Sequence, residues 1–94
     1  MNYLSKYEVP DLGFYSIGID PSSKPPKFLV LVDGEPEPFR SVDSELEAMA
    51  ILGEVIKADL DEKVEAGAGT HFLRCLRKEM KDPLWVRMYE QKVH

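Results

Sequence analysis

The stretch Ser41–Leu60, SVDSELEAMAILGEVIKADL, constrains the fold more than any other part of the chain. Val42, Leu46, Met49, Gly53, Ile56 and Leu60 recur at alternating steps of four and three, which is one stripe of an α-helix. Ile51, Leu52 and Val55 widen the stripe, while Asp43, Glu47, Glu54 and Lys57 lie towards the other side. Ser41 is the expected cap, because a hydroxyl there can accept a bond from an otherwise unpaired backbone N–H. Asp43, Glu45 and Glu47 then place negative charge where the helix dipole is positive. A helix with one oily side needs a surface to cover it, and the rest of the chain has to supply that surface.

The flanking segments supply it as strands. Gly13–Asp20, GFYSIGID, alternates as a strand does, and KFLVLV at 27–32 is a nearly continuous apolar β run suited to a central position. Between them PSSKPP is a loop. Asp33-Gly34 offers the positive φ angles of a tight hairpin, so the chain is expected to reverse. The return strand over 35–39 carries Pro36 and Pro38, which cannot donate ladder bonds, and is expected at an edge. Residues 1–12 read as an N-terminal arm, in which the spacing of Tyr3, Leu4, Tyr7 and Val9 suits a helical turn.

After the central helix, extended to residue 65 by the acidic run from Asp59, Ala66-Gly67-Ala68-Gly69 is expected to end it. Thr70 is placed to cap a second helix, HFLRCLRKEMKD. The tail over 84–93 reads as helix, with Asp82-Pro83 as its start, rather than as a further strand. The expectation is one α+β domain over 1–94: a three-stranded antiparallel meander within 13–39, the central helix over 41–65 and a helical region over 70–94.

Composition bounds the function. The chain of 94 residues has a net charge of −5 and an apolar fraction of 44%, as an ordinary globular domain does. The charge is segregated. From Asp33 to Glu65 there are 11 acidic and 3 basic residues, a net of −8; from Ala66 to His94 there are 6 basic and 3 acidic, a net of +3. Overall acidity disfavours general nucleic-acid binding and suits a protein partner with a basic surface. No apolar run approaches a membrane span, and MNYLSKYEVP lacks the apolar centre of an export signal. With a single cysteine, Cys75, the chain is expected to be cytoplasmic.

No constellation for catalysis emerges, so the expectation is a non-enzymatic protein with no cofactor and no metal. His71, Cys75 and Glu79 stand four apart on the second helix, but a structural zinc site needs four ligands and a thiol enzyme needs a third catalytic member. The Ala66–Thr70 glycine turn lacks the lysine of a phosphate loop and the strand before it. The carboxylates are the stronger lead. Glu35, Glu37, Asp43, Glu47, Glu54, Asp61 and Glu62, with Trp85 and Tyr89 as aromatic anchors, are the candidate partner-binding set. They imply a small acidic regulator or inhibitor; in the sharpest form it is a phage-type inhibitor that imitates nucleic acid towards a nucleic-acid-handling complex. Two alternatives remain. Arg74, Arg77, Lys78 and Lys81 could bind nucleic acid weakly, or the wide apolar face of the central helix could make a homodimer or a small-ligand site.

Overall fold

The computed structural model describes residues 2–32, 35, 37–79 and 90–91. Four strands run in chain order: β1 (Asn2–Val9), β2 (Gly13–Asp20), β3 (Lys27–Val32) and β4 (Arg40–Val42). Two helices follow, α1 (Glu45–Glu65) and α2 (His71–Glu79), and then a two-residue strand β5 (Glu90–Gln91). The strands form one antiparallel sheet in the order β4-β3-β2-β1-β5. The fold is α+β, a meander with helices on one face.

The N-terminal segment is a strand and not the expected helical turn. Pro10 and Asp11 make a tight reversal closed by Leu12 N–H donating to the Val9 carbonyl at 3.0 Å. Asp11 takes φ of 66°, a left-handed geometry that a short acidic side chain tolerates. Ser5, Tyr7 and Val9 then face the core, opposite Ile17, Tyr15 and Gly13. A serine in the middle of that face and a bulge between Tyr3 and Ser5 hide the two-residue period in the sequence.

The return strand is also displaced. Glu35 and residues 37–39 lie outside the ladder, which resumes only at Arg40, once the prolines without N–H groups have passed. The Asp33-Gly34 turn lies outside the described residues. Two backbone bonds pin the connection: Glu35 N–H to the Val32 carbonyl at 3.1 Å, and Phe39 N–H to the Val30 carbonyl at 2.8 Å.

Because β4 claims Ser41 and Val42, α1 starts later than its apolar stripe suggests. Ser44 is the cap, its hydroxyl accepting from Glu47 N–H at 3.0 Å. Ala48, Met49, Leu52, Ile56 and Leu60 are buried against Tyr7, Tyr15, Ile17, Val30 and Val42. Leu46, expected in this stripe, is 57% exposed. It shares a flank of α1 with Val64, about five turns further on, and α2 meets the C-terminal part of α1 through Arg77, which pairs with Asp61 and Glu65.

Gly67, at φ of 78°, ends α1, and Gly67 N–H donates to the Val64 carbonyl at 3.0 Å. Thr70 caps α2 as expected, its hydroxyl accepting from Leu73 N–H at 3.3 Å. Leu73 and Leu76 complete the core. Most of the expected tail helix lies outside the described residues. Its Glu90 and Gln91, however, pair antiparallel with Tyr7 and Lys6, because the edge of β1 offers backbone donors and acceptors that strand pairing satisfies.

Between β2 and β3, Ser22 donates to the Asp20 carboxylate from its hydroxyl at 2.6 Å and its N–H at 3.0 Å. These bonds favour the charged form and hold the carboxyl below its ordinary value. Ser22→Ala is expected to raise the Asp20 pKa in a carboxyl NMR titration. What Asp20 adds to stability is present above the unfolded carboxyl pKa and is lost as pH falls through the lower folded value.

A Cβ at Gly69 would sit 2.9 Å from Val64 Cγ2 and 3.1 Å from Val64 Cα. Gly69→Ala should therefore destabilise by about 1–3 kcal/mol in urea unfolding, as overpacking does. Val64→Ala in the same chain should recover part of that loss, a coupling a double-mutant cycle reads directly.

Candidate functional site

Glu47, Glu54 and Asp61 follow one another at seven-residue steps, nearly two turns, so they share the outward line of α1 about 10 Å apart. Glu47 and Glu54 are exposed, with no cation in salt-bridge range among the described residues. Asp61 differs. The Arg77 guanidinium lies 3.2 Å from Asp61 through Nε and 2.5 Å from Glu65 through its terminal nitrogen. Asp43 pairs with Lys27. All three bridges are partly solvated, so each stabilises by roughly 0–1 kcal/mol, and their main effect is on which carboxylates stay available.

The remaining candidate carboxylates gather beside α1. Glu35 and Glu37 are exposed and line a hollow of about 490 Å³ together with Val32, Pro38, Phe39, Val55 and Asp59. Asp59 also lines a second hollow of about 390 Å³, together with Leu12, Tyr15, Glu62 and Lys63. The Tyr15 hydroxyl donates to Asp59 Oδ2 at 2.9 Å, a bond between sheet and helix that orients this carboxylate. Nothing in the local sequence flags that bond, since it joins residues 44 apart. Phe39, 53% exposed at the hollow, is likewise outside the candidate set read from the sequence.

The basic set is divided. Arg74 and Lys78 are exposed on α2 and, with Arg77 and Val64, border a hollow of about 390 Å³. Arg77 is already engaged by Asp61 and Glu65, which takes one cation out of the stripe. Lys81, Trp85 and Tyr89 lie outside the described residues. The α1 face proposed for self-association is instead buried over Met49, Leu52, Ile56 and Leu60; exposed apolar groups include Leu46 and, on the sheet face away from α1, Phe14.

His71 and Cys75 do meet, with Cys75 Sγ 3.5 Å from His71 Nε2 on the exposed side of α2. Among the described residues no group of three or more His, Cys, Asp or Glu side chains could hold a metal ion. Gly69 and Thr70 serve the turn into α2, one by close approach to Val64 and the other by capping. Among the described residues no helix is long and apolar enough to cross a membrane. No family model matches the chain, and no curated protein or solved structure does so either.

Tyr15→Phe should cost about 0.5–1.5 kcal/mol in urea unfolding by removing the donor to Asp59. In the background of Asp59→Ala the same substitution should cost clearly less. Equal costs in the two backgrounds would mean that the bond carries no coupling.

Proposed function

We propose that this chain is a small non-enzymatic regulator or inhibitor that works by occupying a basic surface of a protein partner. One observation carries the reading: Glu35, Glu37, Glu47, Glu54 and Glu62 are exposed and outside the ion pairs of the described residues, while the chain's own cations engage Asp43, Asp61 and Glu65. The charge segregation seen in sequence is thus only partly cancelled by folding. A net charge of −5 favours approach to a cationic surface and disfavours approach to phosphate.

The Asp61 and Asp43 bridges reshape the candidate set. Contact falls chiefly to Glu35, Glu37, Glu47, Glu54 and Glu62, and Asp61 acts through its hold on Arg77. In its sharpest form the partner is a nucleic-acid-handling complex whose phosphate groove the carboxylates fill, as a phage-type inhibitor would. Size and charge support that form, and so does the single outward line of Glu47 and Glu54.

A partner recovered from native lysate and then purified is expected to bind less tightly as salt rises from about 0.05 to 0.5 M, because screening shortens the reach of exposed charges. Glu47→Gln/Glu54→Gln should lower its affinity severalfold, whereas Arg74→Gln/Lys78→Gln should not. An affinity indifferent to salt and to the glutamate pair would remove the electrostatic reading. Retention on a phosphate matrix that is lost with Arg74→Gln/Lys78→Gln would put nucleic-acid binding by α2 in its place.

A further inference from the structure

The hollow between the β3–β4 connection and α1 differs from the rest of the acidic surface because it combines charge with apolar area. Val32 and Val55 give it aliphatic walls, Phe39 presents a half-exposed ring, and Glu35, Glu37 and Asp59 stand around them. Arg40, next in the chain, is exposed and forms no ion pair with these carboxylates among the described residues. Exposed glutamates alone attract any cation. A ring and two valines beside them select a cation with a long apolar stem.

Three hydrogen bonds tie described residues at the border of the hollow to the sheet. Backbone bonds from Glu35 to Val32 and from Phe39 to Val30 tie both sides of the connection to β3. The Tyr15 hydroxyl holds Asp59 from the sheet side. Of the groups around the hollow, the Asp59 carboxylate is thus oriented before binding and loses little freedom when a ligand arrives.

We propose that this hollow receives an arginine side chain from the basic segment of a protein partner. The stem lies along Val32 and Val55, and the guanidinium stacks on Phe39 while donating to the glutamates. Arginine fits better than lysine because its planar, weakly hydrated head can stack on a ring and pair with a carboxylate through two donors at once. The inference rests on the acidic-surface reading and names what one part of that surface takes. A second copy of the chain is the weaker occupant, since each copy carries −5 and would approach against that repulsion.

The test uses the full chain and a blocked hexapeptide with one arginine among glycine and leucine, alongside its lysine and citrulline counterparts. Binding is read from amide chemical shifts. The arginine peptide should move Val32, Phe39 and Val55, the lysine peptide should do so more weakly, and the uncharged citrulline peptide hardly at all. Phe39→Ala should weaken arginine binding about three- to tenfold, the range expected of a cation over a ring. Glu35→Gln/Glu37→Gln should weaken it further, and Asp11→Asn, on the exposed β1–β2 turn, should leave it unchanged. All three variants alter exposed side chains, and an unchanged amide spectrum away from each site confirms that folding is retained.

Equal shifts with citrulline, shifts confined to the outward line of α1, or no effect of Phe39→Ala would overturn the proposal. So would shifts of Val32 and Phe39 that grow with protein concentration alone and vanish in Arg74→Gln/Lys78→Gln, which would make a second copy the occupant. Purified-partner binding that is salt-sensitive and needs Glu47 and Glu54 but ignores Phe39 would sink this inference alone. A salt-indifferent partner would sink the broader reading, whatever the peptides do.

Discussion

The structure depends on one contact, the burial of the Leu52, Ile56 and Leu60 side of α1 on the sheet row formed by Tyr7, Tyr15, Ile17 and Val30. Each of these leucines and isoleucines contributes roughly 1.5–3 kcal/mol when fully removed from water. A meander of four short strands has little other means of covering its inner face. With α1 lying across that face and Leu73 and Leu76 of α2 completing the core, the opposite side of α1 looks into solvent at Glu47 and Glu54. The acidic line of Glu47 and Glu54 is therefore a consequence of core formation as much as a feature of the surface.

Folding then sorts the carboxylates into two groups. α2 returns alongside the C-terminal part of α1 and brings Arg77 to Asp61 and Glu65, and Lys27 at the start of β3 reaches Asp43 just after β4. The glutamates at 35, 37, 47, 54 and 62 receive no such neighbour among the described residues. Partly solvated bridges add little stability, so their consequence is spatial. They leave the available negative charge on the outward line of α1 and around the β3–β4 connection.

Prolines decide the form of that connection. Because the segment cannot donate a continuous set of N–H bonds, pairing waits until Arg40, and the intervening residues border an open hollow. Phe39 is left half-exposed there, its N–H donating to the Val30 carbonyl.

What could be read without coordinates was whatever depends on near neighbours in the chain. The α+β class, the strands at 13–20 and 27–32, the central helix, the glycine exit at 67 and the Thr70 cap all follow from periodicity or local hydrogen bonding, and all are present. The strand at 2–9 was missed because Ser5 interrupts its apolar face and a bulge breaks its period. The cap moved from Ser41 to Ser44 because β3 pairs with Ser41, a demand made from elsewhere in the fold. Leu46 matches the helical stripe yet stays in water, since a stripe in sequence does not say which of its members a neighbouring element covers. Which carboxylates are paired, and the bond from Tyr15 to Asp59, belong wholly to tertiary structure: they join residues 44, 16, 16 and 12 positions apart, beyond the reach of any local pattern.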